Sequence, residues 1–200
     1  MPTNGRRWAM VIPLFVAIAG AAAWTVVTRQ RPALPVLPVG GDFALTDHNH
    51  ARFELASLRG KVVLIFFGYS LCPDVCPTTL SKLSSVARAL GDDRARVKTL
   101  YITVDPERDT PEVLKLDLQS FSLDALGLTG TRAEVDRVIS QYGATYTVVP
   151  TPQSAGKYSV THTTTLYALD TQGRVRIQFP YEATVDEIVQ GIRTILADRP

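Results

Sequence analysis

The chain predicts an α/β domain with a mixed β-sheet flanked by helices, preceded by an N-terminal transmembrane helix. Three observations carry this. KVVLIFFGY (61–69) and VKTLYITVD (97–105) are continuous apolar runs rich in β-branched and aromatic residues, as strands covered on both faces are. Each is followed by a segment that reads as a helix, the alternation that builds parallel sheets. The chain then ends on two strand-like segments joined by a tight turn, and a last helix, so antiparallel strands complete the sheet.

The elements follow in order. Trp8 to Val27 is a stretch of 20 residues without a charge, long enough for the ~30 Å hydrocarbon core of a bilayer. Trp8 and Trp24 stand near its ends, where indole rings favour the membrane interface. Arg6, Arg7, Arg29 and Arg31 flank it so evenly that charge does not set its orientation. Residues 1–31 are read as a retained membrane anchor. A cleavable signal peptide is the rival, because AGAAA offers small residues for cleavage. PALPVLPVGG (32–41) reads as a semi-rigid linker, and the domain proper as 42–200.

Within the domain, residues 42–55 alternate around a polar middle and predict a small hairpin turning at Asp47 to His50. The first long strand, 61–69, leads through a cysteine loop to a helix over about 78–90. After the second strand, Thr110 is a natural N-cap with Pro111 at the first helical position. ALGLTG (125–130) is a short strand or loop. Thr131 and Glu134 form a capping box opening a helix to about Tyr142. THTTTLYALD (161–170) and VRIQFP (175–180) are strands joined at Asp170 to Gly173, and a second capping box, Thr184 with Glu187, starts the last helix.

Composition excludes one class of partner. The formal net charge of +2 comes from the four arginines of residues 1–31; without them 17 basic residues face 19 acidic ones, no footprint for nucleic acid. A domain of this length buries a sufficient core without disulfides.

Chemistry concentrates in YSLCPDVCPTTL (69–80), which holds both cysteines of the chain, Cys72 and Cys76. As a structural staple the pair is poor. Closing a three-residue loop removes little chain entropy, and Cβ atoms four residues apart on a helix lie about 5–6 Å apart, against about 3.5–4.5 Å in a disulfide. Placed just ahead of a helix, the sulfurs feel its positive N-terminal end, which favours thiolate. Thiolate is both a nucleophile and a metal ligand, so the spacing leaves redox chemistry and metal binding open. Of the three histidines, His48 and His50 fall in the predicted hairpin turn and read as surface residues. His162 stands at the start of a predicted strand. Two thiolates and one imidazole form a soft three-donor set that suits copper, as Cu(I) or Cu(II), whereas structural zinc takes four ligands.

GKVVLIFFGYSLCPDVCPTTL (60–80), VDPERDTPEVL (104–114), LGLTGTRAEVDRV (126–138) and VTHTTTLYALD (160–170) together resemble the Sco/SenC family over about residues 40–195. These are membrane-anchored, thioredoxin-like proteins that help assemble the copper centre of cytochrome c oxidase. The resemblance implies copper held by Cys72, Cys76 and His162. It further implies the copper-bearing oxidase subunit as partner, with a periplasmic donor chaperone as a possible copper source, and a single-pass inner-membrane protein whose domain faces the outer side. Two positions depart from the family pattern: Thr161 stands where an aspartate commonly precedes the histidine, and Leu71 where a histidine often precedes the first cysteine. Asp105, Arg108 and Asp109 read first as a turn and helix cap; their expected place beside the thiols leaves a positioning or docking role open.

The copper carrier is set against a thiol-disulfide oxidoreductase built on the same Cys72–Cys76 pair, keeping oxidase or chaperone cysteines reduced. Thioredoxins use CxxC and a proline near the site, whereas this chain has CxxxC and no proline in VTHTT. A peroxidase is the third reading. Val75–Thr78 resembles the peptide around the attacking cysteine of peroxiredoxins, but Pro73 occupies the position where that family carries a threonine.

Overall fold

The computed structural model describes residues 34–151 and 157–198. The apolar segment 8–27 lies outside them, and among the described residues no helix is long and apolar enough to cross a membrane.

The expected hairpin is present. β1 (Ala44–Asp47) pairs with β2 (Arg52–Glu54), and Asp47 Oδ1 closes the turn by accepting from the Asn49 and Ala51 amides at 2.8 and 2.9 Å. β3 (Val62–Gly68), β4 (Val97–Thr103) and β5 (Ala125–Thr129) run parallel. β8 (Leu166–Leu169) joins the far side of β3 antiparallel, and β9 (Val175–Phe179) pairs with β8. With β1 antiparallel to β5, the seven-stranded order is β2-β1-β5-β4-β3-β8-β9. The domain is thus a thioredoxin-like α/β fold around a mixed sheet.

Four α-helices cover it among the described residues: α1 (Val75–Ala89), α2 (Pro111–Gln119), α3 (Arg132–Gln141) and α4 (Val185–Ala197). Both expected capping boxes form, at Thr131/Glu134 and Thr184/Glu187. Strand periodicity of two divides β3 between two cores. Val63, Ile65 and Phe67 meet α3 through Val135, Val138 and Tyr142. Val62, Leu64 and Phe66 meet α1 and α4 through Leu80, Leu83, Ile188 and Ile192. The unbroken apolar run in the sequence is the consequence of covering both faces.

The structure differs from the sequence reading in three places. First, α1 begins at Val75, so Cys76 lies inside its first turn. Pro77 does not stop it, because first-turn amides have no intrahelical acceptor to lose. Second, 161–170 is not one strand. Tyr146–Pro150 (β6) and Tyr158–His162 (β7) form a separate two-stranded sheet, and His162 ends β7 instead of starting β8. The exposed Val148 and Val149 break the buried/exposed alternation by which β6 would have been recognised. Third, the segment read as a linker is packed on the domain from Leu34 onward. Leu37 N donates to Val175 O at 2.8 Å and Gly40 N to Gln141 O at 2.7 Å, while Leu37 and Val39 pack against the core.

A buried cation fastens that segment. Arg176, 7% exposed, donates to Pro35 O at 3.1 Å, to Leu34 O, to Asp198 and to Asp170 Oδ2 at 2.9 Å. Arg176→Ala strands the Asp170 carboxylate without one of its buried partners, and removal of one member of such a pair costs about 3–5 kcal/mol. Urea unfolding should show a loss near the low end of that range, since Arg174 still reaches Asp170. Limited proteolysis should cut earliest within residues 34–41.

Candidate metal centre

Three strand ends converge at one edge of the sheet. The cysteine loop leaves the carboxyl end of β3, the loop of Asp105 to Asp109 leaves the carboxyl end of β4, and β7 delivers His162 just before β8 enters antiparallel to β3. Among the described residues, Cys72, Cys76 and His162 are the group of potential ligands whose donor atoms all lie within 4.8 Å of one another. His48 and His50 are elsewhere, as surface-turn residues: His48 Nδ1 accepts from Gly127 N at 3.2 Å, and His50 meets Glu112 at 2.6 Å.

Each donor is set by its surroundings. Cys76 is 2% exposed, and its Sγ lies 3.5 Å from His162 Nε2. The other imidazole nitrogen, Nδ1, is 2.9 Å from Thr163 O. A carbonyl only accepts, so Nδ1 donates to it, and the ring is held with Nε2 toward the sulfurs. Thr163 is itself fixed, its amide donating to Thr145 O and its hydroxyl accepting from Thr145 N, both at 2.9 Å. This backbone carbonyl orients the ring without help from the exposed Thr161, the position where the family pattern has aspartate. Phe66 and Tyr69 stand edge-on to the imidazole at 6.1 and 5.9 Å between centroids. Gly68 matters by what it lacks: a Cβ there would lie 2.9 Å from Cys76 Sγ and 2.8 Å from the Tyr101 hydroxyl. A glycine closing an apolar strand is a sequence sign of such close approach.

Cys72 is half-buried, and its Sγ accepts the Cys76 amide, a free first-turn donor of α1, at 3.4 Å. Both thiols are free. Hydrogen bonding from the Cys76 thiol is the main cause that holds Cys72 down at about 4, with His162 and backbone donors adding to it against the opposing effect of burial. The same contact, with burial, pushes Cys76 far above the ordinary thiol range. The contact thus makes the two sulfurs unequal, Cys72 being the one that ionises more readily.

Asp105, Arg108 and Asp109 form the frame beneath these donors. Asp109, 1% exposed, accepts from the Ser70 amide at 3.1 Å, the Ser70 hydroxyl at 2.5 Å and the Thr103 hydroxyl at 2.6 Å, which pins the root of the cysteine loop to the end of β4. Arg108 donates to Asp105 and, at 3.0 Å, to Tyr158 O, and its guanidinium lies 3.7 Å from the centre of the Tyr158 ring. The Tyr158 hydroxyl closes the circuit to Asp105 Oδ1 at 2.9 Å. Arg108 therefore ties β4 to β7, the strand that ends in His162. Sequence reasoning did not find Tyr158, four residues before that histidine, because the strand itself was not visible.

The fold and this corner define a thioredoxin-like domain carrying a dithiol–imidazole cluster, able to bind a thiophilic cation or to cycle a disulfide. The sequence model of the SCO1/SenC family matches residues 32–197, and the chain belongs to that family. It is similar to an SCO2-like protein of Rickettsia typhi, with 32% identity over 203 residues covering 96% of this chain and 99% of the relative. The copper-bound structure of Bradyrhizobium japonicum ScoI is 43% identical, with a TM-score of 0.71, over 78% of this chain and 98% of that one. Copper-bound yeast Sco1 is 32% identical, with a TM-score of 0.74, over 82% of this chain and 91% of that one.

One further acid senses the site. Asp117 on α2 is pushed up to about 6, by burial first and then by the charges of Asp109 and Cys72. Its folded pKa is raised, so the ionised form destabilises the fold; the penalty is absent below the unfolded value near 4 and complete above about 6. Asp117→Asn should therefore stabilise the reduced protein by roughly 1 kcal/mol at pH 7.5, the full shift being reduced by solvent screening at a half-exposed group. Urea titrations from pH 3.5 to 7.5 should show the difference vanish at the acid end.

Proposed function

We propose that this protein is a copper carrier. It holds one copper ion through Cys72 Sγ, Cys76 Sγ and His162 Nε2, and delivers it to the copper-bearing subunit of cytochrome c oxidase. The observation that supports this most directly is the convergence of two sulfurs and one imidazole, their donor atoms all within 4.8 Å of one another and His162 Nε2 at 3.5 Å from Cys76 Sγ. Soft thiolates select Cu(I), and the added nitrogen extends the set to Cu(II). Copper bound to the Bradyrhizobium and yeast relatives supports the same choice of metal. In this reading residues 8–27 anchor the chain in the inner membrane as a single pass, residues 42–200 work on its outer side, and a periplasmic chaperone supplies the copper.

Thiol-disulfide exchange is the second reading, favoured by the half-exposed, acidified Cys72 beside a buried, protonated Cys76, the asymmetry of an attacking and a resolving thiol.

The reduced protein should bind about one equivalent of copper and the diamide-oxidised protein almost none, read by metal analysis after desalting, because a disulfide withdraws both thiolates. His162→Ala should keep the fold and lose Cu(II) far more than Cu(I), which two thiolates hold almost linearly. Equal retention of both ions would remove the imidazole from the ligand set. In cells, Cys72→Ser should lower oxidase activity. Rescue by added copper supports the carrier, whereas rescue only by a membrane-impermeant reductant supports the exchange reading.

A further inference from the structure

The floor of the cluster contains a buried hydroxyl with no conventional partner. Tyr101, on β4, is 0% exposed, and its hydroxyl has no nitrogen or oxygen partner among the described residues, the Cys76 sulfur standing beside it. Such a group costs about 1–3 kcal/mol when left unpaired, so its place in the core asks for a reason. The ring packs on Phe66 at 6.2 Å between centroids, which accounts for an aromatic residue and not for the oxygen, since phenylalanine fills the same space. The oxygen lies beside Gly68, where an added Cβ would stand 2.8 Å from the Tyr101 hydroxyl and 2.9 Å from Cys76 Sγ. Hydroxyl and sulfur thus share one recess at the end of β3. The buried sulfur has His162 on its open side and Tyr101 beneath it.

We propose that Tyr101 is a positioning residue for Cys76, its O–H placed beside the sulfur to donate to it when it is a metal-bound or newly released thiolate. An uncharged sulfur is a weak acceptor that draws the hydroxyl little. Two events charge the sulfur. Metal loading sends its proton to solvent. Reduction of a Cys72–Cys76 disulfide by glutathione does the same electronically: the glutathione thiolate attacks the more exposed Cys72 Sγ, the sulfur–sulfur bond breaks, and its electron pair leaves on Cys76 Sγ. In both, a hydrogen bond to the charged sulfur is of the strong, charge-assisted kind. Burial keeps the phenol protonated and able to donate throughout.

The metal arm rests on the copper reading above; the reduction arm does not. The test is Tyr101→Phe in the full chain, compared with wild type. Without metal, the variant should melt at the same or a higher temperature, because it loses only an unpaired buried oxygen. Copper affinity should fall about tenfold, and the sulfur-to-Cu(II) charge-transfer band should move to lower energy, as a thiolate relieved of a hydrogen bond is the stronger donor. Reduction of the diamide-oxidised protein by glutathione should slow about tenfold, since a poorer leaving thiolate departs more slowly. Unchanged band, affinity and reduction rate would overturn the proposal, as would a lower melting temperature with all three unmoved, which is the mark of packing alone. If wild type itself binds no copper, the carrier function fails, and the reduction rate alone decides the role of Tyr101.

Discussion

β8 enters the sheet against the direction of β3, and the cluster depends on that choice. The pairing of Phe66 with Leu166 fixes it. With the two strands antiparallel, the segment before β8 lies at the same end of the sheet as the segment after β3. His162 thereby meets Cys76 across 86 residues of sequence. A parallel β8 would place the histidine at the opposite edge, a strand length of about 3.3 Å per residue away. The antiparallel pairing is also one of those that make the sheet mixed, β1 with β5 being another.

Strand direction brings the donors to one edge but does not hold them there. The cysteine loop, the loop of Asp105 to Asp109 and β7 are separate pieces of backbone, each ending near the others. They are joined by buried charged side chains and their hydrogen bonds. Asp109 binds Ser70, which roots the cysteine loop, and Asp105 with Arg108 binds Tyr158, which roots the histidine strand. The reading of these residues as a turn and helix cap is incomplete in a definite way. Thr110 does cap α2, yet the carboxylates beside it face inward and spend their hydrogen bonds on the two segments that carry the ligands. Buried carboxylates need all their acceptor positions filled, and the segments supply the donors.

The legible parts of the sequence were those governed by local rules. Capping boxes at Thr131 and Thr184, proline at position 111 and the apolar runs of β3 and β4 each state their structure within a few residues, and the structure follows them. The cysteines and the histidine were legible as chemistry. What the sequence concealed was set by contacts at long range. β6 and β7 pair with each other outside the main sheet, and their apolar pattern is weak because one side faces solvent. Residues 34–41 look like a linker because proline and glycine are linker residues, yet a single buried arginine 141 positions from Pro35 holds them down. The start of α1 was misplaced for a different reason: proline signals an interruption, but in the first turn of a helix it has no hydrogen bond to break.

That last displacement changes the chemistry. With α1 starting at Val75, the Cys76 amide is one of its unpaired first-turn donors, and it is spent on Cys72 Sγ. The helix thus stabilises charge on the sulfur outside its first turn, while the buried sulfur within that turn keeps the proton. Two cysteines four residues apart become chemically unequal, one half-buried and the readier to ionise, the other enclosed and held toward its protonated form. The inequality explains why carrier and exchange readings attach to the same atoms. A metal needs both sulfurs deprotonated and the imidazole free, so it must expel the proton that Cys76 retains. An oxidant must remove two electrons from the same pair, and in doing so destroys the donors. Carriage and oxidation are therefore mutually exclusive states of one dithiol, and the redox state of the pair decides whether the proposed copper site exists.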